Sequence, residues 1–182
     1  MKNKTIDQYQ EVITRCRDVF YKKTKDYGTA WRILRLPSIT DQIFIKAQRI
    51  RTLQEKGAQK VDEGQADEFV GILNYCIMAL VQATLPDDAP VELGVEDVMA
   101  HYDEQVNKTI ALLEAKNHDY DEAWRDMRIS SITDIILMKL LRTRQIENNQ
   151  GKTIISEGVE ANYRDMINYA AFCLIKLKEE QV

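Results

Sequence analysis

Glycine and proline are scarce in this 182-residue chain, at seven and three residues. That scarcity argues against a turn-rich all-β fold and for long helices. No apolar run reaches the roughly 18 residues of a membrane span, and the opening MKNKTIDQYQ has no signal-peptide core. The expectation is therefore a cytoplasmic protein without a membrane segment. With only His101 and His118, a His-rich metal site or a pair of catalytic histidines is not expected. Cys16, Cys76 and Cys173 sit singly in apolar periodic segments without zinc spacing, and read as reduced core residues. No dense run of lysine or arginine marks a nucleic-acid tail. What is present is ordinary: 45% hydrophobic and 30% charged residues in 21.1 kDa, enough to bury one core or two small ones.

The chain repeats itself. Shifted by 93 positions, DYGTAWRILRLPSITDQIFIKAQRIR (Asp26 to Arg51) aligns with DYDEAWRDMRISSITDIILMKLLRTR (Asp119 to Arg144), and 14 of the 26 pairs are identical. Upstream, Tyr9/Tyr102, Glu11/Glu104 and Lys23/Lys116 keep the offset. Downstream one inserted residue moves it to 94 and pairs Glu63/Glu157, Gly64/Gly158, Asn74/Asn168, Tyr75/Tyr169 and Leu80/Leu174. Self-similarity at a fixed period dictates the architecture. A first repeat spans 1–85, a proline- and acid-containing linker 86–94, and a second repeat 95–182.

Each repeat reads as three helices. The first runs over about Ile6–Lys25, or Glu96–Asn117. An irregular or short helical DY-x-x-AWR segment follows. The second helix starts near Ser38, or Ser131, and the third covers Glu63–Thr84, or Glu157–Lys178. Three such helices cannot bury all their apolar faces alone, so the expected fold is an all-α, pseudo-two-fold bundle of about six long helices sharing one core. Charge divides unevenly: residues 1–85 carry a net +4 and residues 86–182 a net −8. A basic half suits anionic ligands; drift of solvated faces after duplication explains the same numbers.

Polar residues kept in both repeats are the candidates for function. On the second helix Asp41, Lys46 and Arg49 fall within an arc of roughly 140° at 100° per residue, as do Asp134, Lys139 and Arg142. One acid with two bases suits a phosphate or carboxylate, with arginine as bidentate donor. The aspartates have a second reading, since Ser38-x-x-Asp41 and Ser131-x-x-Asp134 match helix N-caps with an acid at the third position. On the third helix Asn74 and Asn168 stand in apolar surroundings. A buried amide must find partners, either across helices or in a ligand pocket. Glu157, Arg164, Asp165 and Asn168 form a polar stripe, whereas the first repeat has Val70 and Gly71 in place of Arg164 and Asp165. Acid-dependent chemistry is therefore expected in the second repeat. Trp31 and Trp124 read either as bundle anchors, with Arg32 and Arg125 snorkelling outward, or, with those arginines, as a stacking and phosphate-pairing platform. Asp26 and Asp119 suit turn hydrogen bonds.

Carboxylates on facing helices can hold Mg²⁺ or Mn²⁺. The all-α nucleoside triphosphate pyrophosphohydrolases use Glu-x-x-Glu on one helix and Glu-x-x-Asp on the next. Glu157-Gly-Val-Glu160 resembles the first element but lies on the helix that should carry the second, and the second helices bring bases instead of acids. A di-iron bundle lacks its Glu-x-x-His.

The pattern DY-x-x-AW-R-x-x-R, then S-x-T-D-x4-K-x2-R, then E-G before an Asp-x-x-Asn-Tyr helix resembles the nucleotide-modification-associated domain family of bacteria and phages. The second repeat carries it through Asp119, Tyr120, Trp124, Arg125, Ser131, Asp134, Lys139, Arg142, Glu157, Asp165, Asn168 and Tyr169. The first departs at Gly71. The resemblance implies an all-helical domain associated with modified nucleotides, and names no catalytic residue. The combined expectation is a pocket for a nucleotide or similar phosphorylated ligand. Lys139 and Arg142 would hold phosphate, Glu157, Asp165 and Asn168 would contact the ligand or a divalent cation, and Trp124 or Arg125 would close one side. Lys46, Arg49 and Asn74 are the equivalents in the first repeat. A metal-dependent nucleotide hydrolase and a non-catalytic scaffold bundle are the alternatives, and exposed bundle faces suit a homodimer.

Overall fold

A computed structural model describes residues 2–57, 61–119 and 122–182. Among these residues there are six α-helices, two 3₁₀ turns and no strand. Helices α1 (Lys2–Tyr27), α2 (Leu36–Lys56) and α3 (Val61–Thr84) make the first repeat. Helices α4 (Val95–Asp119), α5 (Ile129–Asn148) and α6 (Val159–Glu180) make the second. A 3₁₀ turn lies between the first two helices of each repeat, at Ala30–Ile33 and Ala123–Asp126. The fold is thus the all-α bundle that the repeat implies. The side chains of Glu63 and Asp119, and all of Tyr120, lie outside the described residues.

Helices α3 and α6 pack against each other at the centre, flanked by α2 and α5, which also meet, while α1 and α4 lie across them. One contiguous cluster of buried side chains draws on all six helices, with Tyr9, Ile43, Phe69, Tyr102, Ile136 and Tyr163 fully buried. The segment Gly64–Thr84 is long and apolar enough to cross a bilayer, with a mean hydropathy of 1.2, although no run that apolar is expected from the sequence. In the bundle 61% of that window is buried. That burial is what a central helix shows when it is apolar all round.

The repeats interlock through polar pairs. Tyr9 on α1 donates to Asn168 Oδ1 on α6 at 2.8 Å. Its counterpart Tyr102 on α4 donates to Asn74 Oδ1 on α3 at 2.7 Å. Asn74 spends its amide N–H on the Cys16 carbonyl at 3.0 Å. Each repeat therefore lends a tyrosine to the other's asparagine. The α2–α5 contact is dressed the same way: Arg144 pairs with Asp41 at 2.9 Å and Arg51 with Asp134 at 3.7 Å. Thr40 donates to Glu147 at 2.7 Å, and Gln54 donates to Thr133 at 3.1 Å.

Two local expectations fail. Ser38 and Ser131 are not N-caps: the cap positions are Arg35 and Arg128, in extended conformation and without a side-chain cap bond. In α2 Pro37 sits in the first turn, where its fixed φ and missing N–H suit a helix start, so the helix begins before the serine. The Ile39 and Ile132 amides already bond to the Arg35 and Arg128 carbonyls at 3.1 Å each. Arg32 does not point outward either. It is buried, and its guanidinium donates to Gln82 and to the Ala89 and Pro90 carbonyls, tying the 85–94 connection to the first repeat. Gly28 ends α1 at φ +69°, and a Cβ there would strike the Glu92 carboxylate, so the turn into the 3₁₀ segment needs glycine.

Candidate functional site

The chemistry-bearing residues divide between two concavities and two structural clusters. In the second repeat Asp165 is held between two lysines. Its Oδ1 accepts from Lys116 at 2.9 Å and its Oδ2 from Lys139 at 2.8 Å. Burial pushes the Asp165 carboxyl up, but those two charge-assisted bonds outweigh it and hold the group below the usual carboxylate range. Both oxygens are committed to protein donors. Arg164 likewise serves α4, donating to Thr109 at 2.9 Å and Gln105 at 2.8 Å.

Trp124 is buried and stacks flat on Phe172, with centroids 4.3 Å apart and 5° between planes. The Arg125 guanidinium covers its other side, 4.3 Å from the ring. Arg125 donates to Glu122 at 2.6 Å and to Gln8 at 2.7 Å, which binds the 3₁₀ turn to α1. Trp124 and Arg125 thus form a brace, with no open aromatic face. Asn168 faces Tyr9 in the core.

The remaining candidates of the second repeat, Lys139, Arg142 and Glu157, line an open groove of about 1250 Å³ along α5 and the loop before α6. Glu157 is exposed in that loop, one residue ahead of the Gly158 cap of α6. Among the described residues no carboxylate lies within ion-pairing distance of Arg142. The groove also carries Ile154 and Ile155, which are almost fully solvent-exposed.

The first repeat holds the better-formed concavity, a pocket of about 500 Å³ between α1, the 3₁₀ turn, α2 and α3. This lies in the range of small-molecule sites. Trp31, Tyr75 and Phe20 supply aromatic wall, Lys23, Lys46 and Arg15 supply positive charge, and Gly71 is part of the floor. Asp67 is also present and pairs with Arg15 at 3.7 Å. Trp31, unlike Trp124, is only partly buried; its neighbour Phe20 is tilted by 57° with centroids 6.4 Å apart. Lys46 Nζ lies 5.6 Å from the Tyr75 ring and 3.6 Å from Glu68, beyond hydrogen-bond reach. Arg49 takes the other oxygen of Glu68 at 2.9 Å and is exposed at the rim. Asn74 borders the pocket with both polar atoms already engaged.

The sequence reading singled out the lysines of α2 and α5 and offered Trp31 as a stacking platform in one of two readings, but it missed Lys23 and Lys116 as members of these sites. The signal was available, because the Lys23/Lys116 pair is conserved between the repeats. Among the described residues no three Asp, Glu, His or Cys side chains converge as metal ligands. The three thiols are buried and unpaired, and burial pushes them up, Cys16 to about 12.

No curated protein and no solved structure matches the chain significantly. The family model described as nucleotide modification associated domain 1 matches residues 23–83 and again 116–177. Those segments hold the 3₁₀ turn, second and third helices of each repeat, so the chain belongs to the nucleotide modification associated domain 1 family and carries its domain twice.

Proposed function

We propose that the protein binds a nucleotide or a similar phosphorylated ligand, and that the pocket of the first repeat receives it. One observation carries this reading: a partly buried tryptophan shares a 500 Å³ pocket with two lysines that, among the described residues, no carboxylate holds at hydrogen-bond distance. Stacking of a base on such a ring contributes about 1–3 kcal/mol and tolerates any base. Lysines in a half-enclosed pocket attract an anion more strongly than in bulk water, because screening is weaker there. The net +4 of the first repeat supports the same polarity of ligand, as does a family named for association with nucleotide modification. The reading stops at binding and assigns no catalytic residue.

A second reading places the ligand in the groove along α5, where Arg142 has no acidic partner among the described residues. Thermal unfolding against a panel of ribo- and deoxynucleotides, with and without Mg²⁺ or Mn²⁺, tests both. A ligand at about a hundred times its Kd adds roughly 2.7 kcal/mol. At this chain length that is a rise in midpoint of about 5–11 °C. Lys46→Ala is expected to remove the rise and Arg142→Ala to leave it. The opposite pattern moves the site to the groove. No rise with any nucleotide refutes the reading and favours a scaffold.

A further inference from the structure

The two repeats differ at one helical position in a way that changes what surrounds an otherwise conserved pair of lysines. In the second repeat Lys116 and Lys139 clasp Asp165, whose side chain is 15% exposed. Their counterparts in the first repeat, Lys23 and Lys46, both line the pocket, but the counterpart of Asp165 is Gly71. There the Lys46 stem folds over the glycine: a Cβ at position 71 would meet Lys46 Cε at 2.8 Å and Cδ at 2.9 Å. Among the described residues Lys46 makes no hydrogen bond, and no carboxylate lies within ion-pairing distance of Lys23.

The tryptophans show the same asymmetry. Phe172 covers the face of Trp124, whereas Met78 stands at the equivalent position beside Trp31. Positions 165 and 172 are seven residues apart on α6, about 10 Å along a helix. A single ligand reaching both positions needs an anionic group at one end and a flat ring at the other.

We infer that the second repeat carries its own ligand substitute. The Asp165 carboxylate and the Phe172 ring fill the positions that, in the first repeat, receive the anionic group and the flat ring of the ligand. The protein then has one open site instead of two, and Gly71 is the residue that keeps it open. The ligand half of this inference rests on the proposed function above; the substitution of Asp165 for an external anion stands on the comparison between repeats.

Asp165→Ala tests the substitution directly. It is expected to lower the unfolding midpoint in chloride by several degrees, because it leaves Lys116 and Lys139 facing each other. Inorganic phosphate at equal ionic strength is expected to restore most of that loss. Asp165→Asn removes the charge but keeps the space filled, so phosphate is expected to restore little. Equal loss in chloride and phosphate for Asp165→Ala would overturn the inference. In the first repeat Gly71→Asp is expected to abolish the midpoint rise given by adenosine 5′-monophosphate while preserving the helical circular dichroism. A full rise in that variant also overturns the inference. Phosphate rescue of Asp165→Ala with no nucleotide effect on the wild type leaves the internal substitute standing and sinks the nucleotide reading. A wild-type nucleotide effect without phosphate rescue does the reverse.

Discussion

Tyr9→Phe removes one hydroxyl from a fully buried side chain of α1 and nothing else. In the native bundle that hydroxyl donates to Asn168 Oδ1 across the repeats at 2.8 Å, in a site where both residues are buried. The phenylalanine fits the same space, so no cavity forms. The cost is the desolvation of an amide oxygen left without a donor, about 1–3 kcal/mol. For a chain of this length each kcal/mol moves the midpoint by about 2–4 °C, so the expected fall is about 2–12 °C by calorimetry or circular dichroism. Replacing both partners removes the stranded group as well. Tyr9→Phe combined with Asn168→Leu should therefore cost clearly less than the two single variants added together. If Asn168 instead faced water or a ligand, its oxygen would find another donor. Tyr9→Phe would then shift the midpoint by less than about 1 °C and the two changes would add. That result would refute the assignment of the asparagines to interlocking of the repeats.

Two further outcomes follow from the same bundle. Burial raises the Glu147 carboxyl above its usual range, against the lowering effect of bonds from Thr40 and Tyr163. A carboxyl raised on folding costs stability as pH climbs through its folded pKa, so Glu147→Gln should be more stable than wild type near neutrality and lose that advantage in acid, read from urea midpoints against pH; Gln54, its counterpart in the first repeat, already shows that an amide fits. All three thiols are buried and held protonated, so a thiol reagent at pH 8 should label none of them in the native protein and all three after unfolding; rapid labelling of the native protein would contradict the packing around Cys16, Cys76 and Cys173.

Much of this fold is written in the sequence, because duplication leaves its register visible. Fourteen identities in 26 positions place the second helices in equivalent settings, and sparse glycine and proline leave the helices few places to end. Partners across the repeats are a different matter. Tyr9/Tyr102 and Asn74/Asn168 both stand out in the alignment, but which tyrosine meets which asparagine depends on how α1 and α4 cross the central pair. No periodicity within one helix encodes that crossing. The serine caps fail for a local reason, since Pro37 and the extended Arg35 and Arg128 start each helix earlier. Counting polar residues points to the second repeat as the richer site. In three dimensions its extra acid is consumed by Lys116 and Lys139, while the glycine that looks like a loss in the first repeat lines that repeat's pocket.

The most direct test of the binding pocket uses the protein's two tryptophans as separate reporters. In Trp124→Phe the remaining emission comes from Trp31 in the pocket, and in Trp31→Phe it comes from Trp124 beneath Phe172 and Arg125. Titration with a nucleoside monophosphate should quench Trp31 saturably, with the effect lost on adding Lys46→Ala, and leave Trp124 unchanged. Quenching confined to Trp124, or no saturable change in either protein, would contradict a nucleotide site in the first repeat.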